Sequence, residues 1–338
     1  FDDTLIYYIF GDNGASAEGG INGCWNEMSY FNQLQSLETP EYLTSRIDKL
    51  GGPESYNHYA VGWAHAMDTP YQWTKQVASH WGGTRNGTIV SWPKEIKAKG
   101  EIRSQFAHVI DVAPTILEAA GLPQPLSVNG IVQDPIEGIS MVYSFNDAKA
   151  AERHEIQYFE MFCNRGIYHK GWTAVTKHRT PWAPMDAKVP AFDDDVWELY
   201  SDKDWSQAKD LSKEMPQKLH ELQRLWLMEA MRYKVLPLDD RMAEKLNPDT
   251  AGRPVLIKGN SQLLFGGMGR LGENCVLSIK NKSHSVTAEI VVPKGGAEGV
   301  IISQGANIGG WSLYAKNGKL KYCYNWGGLK HFIVEGTT

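Results

Sequence analysis

The chain has 338 residues, with 34 basic and 39 acidic side chains and a net charge of −5. That length suits about two to three domains with a substantial core, and an acidic balance without a long basic block argues against nucleic acid as a partner. No apolar stretch approaches the ~18 residues of a membrane span, and no signal peptide opens the sequence. Cys24, Cys163, Cys275 and Cys323 are scattered without metal spacing, which leaves pairing, redox compartment and localisation open.

The first element is an apolar run at residues 4–10, rich in β-branched and aromatic side chains, which predicts a central strand buried on both faces. Gly11-Asp12-Asn13-Gly14 follows directly. Two hard oxygen ligands therefore hang at the carboxyl end of a strand, where open α/β sheets bind ligands. A second cluster runs from Lys75 to Arg85 and contains His80 and the pair Gly82-Gly83. Lysine supplies a compact cation, histidine exchanges a proton near neutrality, and paired glycines allow close backbone approach, a set that suits an oxyanion. Taken singly, the tetrapeptide reads more simply as an Asx turn, and the basic cluster as solvated charges around a packed histidine. Residues 87–92 form the next candidate strand, stopped by Pro93, and Asp111 caps a helix that reaches Ala120 with Gly121 at its end. Its apolar positions Val112, Ile116, Leu117 and Ala120 recur at helical spacing and should pack on the sheet.

Residues 146–241 carry strand-like pieces at 155–162, 172–177 and 196–200, then a long amphipathic helix with Leu219, Leu222, Trp226, Ala230 and Tyr233 on one face. Strands plus one covering helix predict a small α+β unit. The polar stretch 242–252 reads as a linker. From 253 to 338, short alternating runs at 276–282, 285–292, 299–304, 311–316 and 319–326, with Asn317-Gly318 as a hairpin turn, predict a β-sandwich. Because the sequence opens almost on a central strand and closes on one that has barely begun, it is expected to be the downstream piece of a longer protein, and the sandwich to be truncated.

Six segments in order carry a resemblance. They are Gly11-Asp12-Asn13-Gly14 behind its strand, Thr69-Pro70-Tyr71, Lys75, Gly82-Gly83-Thr84-Arg85, Ser91-Trp92-Pro93, and the stretch from His108 to Leu117. Together they resemble the downstream half of a bacterial arylsulfatase, a type I sulfatase of the alkaline phosphatase superfamily. Trp197-Glu198-Leu199-Tyr200 and the run from Leu236 to Arg241 resemble the C-terminal subdomain of large members, so the likeness spans roughly residues 1–241. The fold so implied is α/β, an incomplete alkaline-phosphatase-like sulfatase domain over 1–145, followed by a small α+β subdomain over 146–241, the linker, and a truncated lectin-like β-sandwich over 253–338.

The resemblance implies that Asp12 and Asn13 are a pair of ligands to a divalent metal ion, usually calcium, and that Lys75 contacts the substrate sulfate. His80 is a second candidate for that pocket, and Arg85 is expected to brace the loop through a carboxylate. The implied reaction is hydrolysis of a small-molecule sulfate ester by attack of a hydrated formylglycine on sulfur. Formylglycine arises within Cys/Ser-x-Pro/Ala-x-Arg, and no such motif occurs in the sequence. The chain alone is therefore expected to be inactive. A phosphonate or phosphodiester hydrolase of the same superfamily would share Asp12, Asn13 and the anion site. A noncatalytic alternative is carbohydrate contact through Trp311, Tyr314, Tyr324 or Trp326, whose simpler role is sandwich core.

Overall fold

The computed structural model describes residues 1–11, 13–183 and 187–337, with the side chains of residues 243 and 246 left aside. Asp12 therefore lies outside the described residues. The architecture is mixed α/β, and the chain divides into two compact units, one built from Phe1–Ile21, Tyr59–Ala183 and Lys188–Asp239, the other from Asn22–His58 and the stretch from Asp240.

In the first unit, β1 (Ile6–Ile9) pairs antiparallel with β2 (Thr88–Ser91), Ile6 opposite Ser91 and Ile9 opposite Thr88. This corrects the expected central strand. β1 belongs to a two-stranded ribbon, with Tyr8 58% and Phe10 63% exposed. A run of apolar residues reports propensity and not coverage, and here only Tyr7 of the strand is partly buried. Between the two strands lie α1 (Val61–Asp68) and the single turn α2 (Trp81–Thr84). The helix α3 (Val112–Ala119) follows β2. Its buried residue is Thr115, next to the buried cap Asp111, rather than the expected apolar stripe, and Ile116 is half exposed.

The core of this unit is the antiparallel sheet β3 (Ile156–Met161), β4 (Asn164–His169), β5 (Trp172–Thr176) and β6 (Trp197–Ser201), hydrogen-bonded in that order. The helix α4 (Pro216–Arg232) covers it, with proline at its first turn, where the missing N–H costs nothing. Leu222, Trp226 and Ala230, spaced four apart, bury themselves against Ile167, Ala174 and Leu199. Each large apolar side chain so removed from water contributes about 1.5–3 kcal/mol. The Trp226 indole also donates to the Phe159 carbonyl at 3.1 Å. The sheet holds one strand more than the strand-like pieces expected from the sequence. β4 lacked an apolar signature because it buries Asn164, which meets Gln76, His178 and Arg179, and Arg165, which pairs with Asp195.

The boundary expected near residue 145 does not separate units. Gly166 of β4 lies so close to Ser79 that an added Cβ would stand 3.0 Å from its carbonyl, and the Asn164 amide donates to the Gln76 carbonyl at 3.0 Å. The sheet therefore supports the loop that carries Lys75.

In the second unit, β7 (Gly299–Ala306), β8 (Gly309–Lys316), β9 (Lys319–Trp326) and β10 (Lys330–Glu335) form an antiparallel meander around the Asn317-Gly318 turn. A second sheet does not form among the described residues, which corrects the sandwich expectation. The runs at 276–282 and 285–292 are not strands, and Val291 is 95% exposed. Alternation specifies a strand only where a partner edge accepts it. The register puts Trp311 opposite Tyr324, whereas the pair Tyr314–Lys321, three positions along, turns to the other face. The expected linker forms a 3-10 turn, Ala243–Leu246, and one helical turn, Pro248–Ala251. None of the four cysteines is in a disulfide.

Candidate functional site

The segment after β1 turns back over the loop between α1 and α2. The Lys75 amide donates to the Ala15 carbonyl at 3.1 Å, and the Ala15 amide donates to Asp68 at 2.9 and 3.2 Å. Gly14 lies flat on the backbone of Gly82, where a Cβ would stand 1.6 Å from the carbonyl oxygen. Gly82 is itself pressed on the Gln72 and Trp73 carbonyls, so both glycines are required by close approach. Trp73 and Gln76 adopt left-handed backbone, at φ 67° and 76°, conformations that side chains accept only when their surroundings dictate them.

Within this frame the Lys75 ammonium, 30% exposed, donates to Glu18 Oε2 at 2.8 Å. Ser16 Oγ donates to the same oxygen at 2.8 Å, and the Gln76 amide donates to Glu18 Oε1. Burial pushes the Glu18 carboxyl up, but the donors from Lys75, Ser16 and Gln76 outweigh it and hold the group below the ordinary carboxylate range. Asp68 is displaced the other way, because burial there exceeds the effect of the Ala15 amide. Beside the loop, Trp73 stacks on Trp182 at 6.3 Å, and the Lys177 ammonium stands 5.2 Å from the Trp73 ring centre.

His80 has a different position. It is fully buried, with Nδ1 2.8 Å from Ser79 Oγ and Nε2 3.0 Å from Glu198 Oε2. Tyr200 donates to the same Glu198 oxygen at 2.6 Å. The Ser79–His80–Glu198 chain has the connectivity of a hydrolytic triad, but the serine is only 2% exposed and no ester can reach it. His80 thus links the Lys75 loop to β6 and is closed to substrate, which corrects its candidacy as a catalytic group. Arg85, expected to brace the loop through a carboxylate, donates to the Trp205 carbonyl at 3.4 Å and lies over the rings of Tyr71 and Trp81.

One prediction follows from this link. Burial pushes the Glu198 carboxyl up, but His80 and Tyr200 more than offset it, so its folded pKa is depressed. Its contribution is present above the unfolded value of about 4.3 and is lost as pH falls through the folded value. Glu198→Gln should cost about 1–2 kcal/mol at pH 7 and flatten the acid limb of a urea-unfolding series.

Of the remaining expected site residues, Asn13 is described and Asp12 is not. Among the described residues, no group of three or more His, Cys, Asp and Glu is placed to hold a metal ion. Asn13 offers one carbonyl oxygen where calcium takes six to eight ligands, so these residues do not make a metal cage by themselves. Glu18, Gln76 and Asp68 were not singled out in the sequence. A lone carboxylate in the small-residue stretch Ala15-Ser16-Ala17-Glu18-Gly19-Gly20 is the signal that points to Glu18.

Residues 1–122 match the family model described as Sulfatase. An uncharacterized sulfatase of Schizosaccharomyces pombe is 27% identical over 249 residues, 72% of this chain and 41% of that protein. An arylsulfatase of Klebsiella aerogenes is 28% identical over 142 residues, 41% of this chain and 27% of that protein. The chain therefore spans well under half the length of these relatives. Among solved structures, a sulfatase from a Bacteroides thetaiotaomicron locus for glycosaminoglycan metabolism aligns at TM-score 0.34 and 19% identity, covering 46% of this chain and 31% of that one. A putative sulfatase of Bacteroides fragilis aligns at TM-score 0.30 and 18% identity, covering 44% of this chain and 30% of that one. Among the described residues, no helix is long and apolar enough to cross a membrane.

Proposed function

We propose that this chain supplies the anion-binding half of a sulfatase active site, with Lys75 as the cation that meets the sulfate group of a small-molecule ester, in an enzyme of arylsulfatase type. The observation that carries this reading is the docking of Gly14-Ala15 on Lys75 and Gly82. It makes the loop after β1 and the lysine loop one piece, as a site needs when it grips an ester from two sides. The sulfatase match over residues 1–122 covers both loops.

The chemistry open to the described residues is binding and orientation. Lys75 pairs with sulfate oxygens, the Gly82 region keeps the backbone close, and β4 fixes the loop from behind. In the proposal Asp12 and Asn13 lend oxygens to a divalent cation, calcium by ligand hardness. A formylglycine would supply the attack on sulfur; its motif is absent from the sequence.

The test is direct binding. Isothermal titration with 4-nitrophenyl sulfate should give a measurable affinity that falls at least about tenfold in Lys75→Met, the loss expected for one charge-assisted contact. The chain alone should not turn over 4-nitrophenyl sulfate. Unchanged sulfate binding in Lys75→Met, or turnover by the chain itself, would overturn the reading.

A further inference from the structure

Glu18 is 8% exposed, yet its two oxygens take side-chain donors from Lys75, Ser16 and Gln76. It is also held in place from outside. Ala17 beside it is fully buried, the Glu18 amide donates back to Ser16 Oγ at 3.3 Å, and Gln76 is fixed by its left-handed backbone and by the Asn164 amide on its carbonyl. A carboxylate so anchored does not swing away when a ligand arrives. The ammonium it contacts is the group proposed to meet the ester, so an incoming anion meets a lysine already paired with a carboxylate.

We propose that Glu18 sets the charge selectivity of this site, admitting a singly charged ester and disfavouring a doubly charged one. The inference rests on the reading of Lys75 as the anion-binding group. Sulfate monoesters carry one negative charge at any physiological pH, whereas a phosphate monoester carries nearly two above its second pKa of about 6. Lys75 attracts and Glu18 repels each negative charge of the ligand, and at ~5 Å through a partly screened medium the repulsion lowers affinity by about tenfold per charge, so Glu18 penalises a doubly charged ester about tenfold more than a singly charged one. The donors that hold Glu18 below the ordinary carboxylate range keep it ionised throughout the neutral range. Size and geometry do not make this distinction, since sulfate and phosphate groups present similar tetrahedral oxygens.

The experiment uses three ligands on the full chain at pH 8, with dissociation constants from calorimetry: 4-nitrophenyl sulfate, 4-nitrophenyl phosphate and methyl 4-nitrophenyl phosphate. In the wild-type chain the sulfate and the singly charged diester should bind about tenfold more tightly than the doubly charged monoester. Glu18→Gln keeps an amide oxygen for Lys75 and removes the charge; it should tighten the phosphate monoester about tenfold more than it tightens the sulfate. An unchanged ratio in a folded Glu18→Gln overturns the proposal. So does a wild-type chain that holds the phosphate monoester as well as its methyl ester, a comparison that needs no variant to fold. Lys75→Met separates the two claims: if it binds the aryl sulfate like wild type, the Lys75 reading fails whatever Glu18 does. Absence of any wild-type binding at millimolar ligand overturns both.

Discussion

Asp111→Asn should lower the stability of the first unit by about 3 kcal/mol and abolish a pH dependence that the wild-type chain shows on the alkaline side. Asp111 is fully buried at the start of α3. Its carboxylate receives the His108 amide at 2.8 Å and the Ile139 amide at 2.7 Å, and both oxygens lie 2.8 Å from His154 Nδ1. Asparagine must turn its NH2 group toward one of these N–H donors, leaving a buried donor pair unsatisfied. Burial alone pushes His154 down, but its contact with Asp111 outweighs this and the folded pKa is raised. A raised histidine contributes stability that is fully present below the unfolded value of about 6.5 and is lost as pH rises through the folded value. His108 nearby is displaced downward, chiefly by burial, and does not add to this window. Unfolding midpoints in urea should therefore decline from about pH 6.5 upward in wild type and stay level in Asp111→Asn. An equal slope in the two proteins would sink the assignment.

Gly82→Ala should cost about 3 kcal/mol or more and remove sulfate binding at the same time. Its Cβ would stand 2.2 Å from the Gln72 carbonyl and 2.4 Å from that of Trp73. Both are backbone atoms of the loop that carries Lys75, so relief comes only by moving that loop. Such a shift also breaks the seat of Gly14 and, through Ala15, the Lys75 amide contact. The control is Gly62→Ala, in α1 with open space around its Cα, which should raise stability by about 0.5–1 kcal/mol and leave sulfate affinity unchanged. Thermal melts and sulfate titrations on the two variants decide it. A Gly82→Ala chain that melts and binds like wild type would show that the close packing at this glycine is not needed.

The two experiments probe different parts of one arrangement. Asp111 ties α3 to the stretches around Ile139 and His154, whereas Gly82 sets the Lys75 loop beneath the segment that follows β1. Loss of sulfate binding in Gly82→Ala with retention in Asp111→Asn, under conditions where both remain folded, would locate the anion site on the lysine loop.

Local chemistry was readable along the chain. The Asn317-Gly318 hairpin and the four-residue spacing of Leu222, Trp226 and Ala230 follow from side-chain type and periodicity, which act over a few residues. Coverage and pairing did not follow, because they depend on partners far away in sequence. The run at 4–10 has the residues of a buried strand but lies exposed in a ribbon, and Asn164 and Arg165 look like loop residues but fill a central strand once Gln76 and Asp195 answer their polar atoms. Only the tertiary structure separates Lys75 from His80. Both are basic residues of one short segment, and what distinguishes them is that 118 positions along the chain a carboxylate closes over the histidine, while the lysine keeps a partly open face beside Glu18.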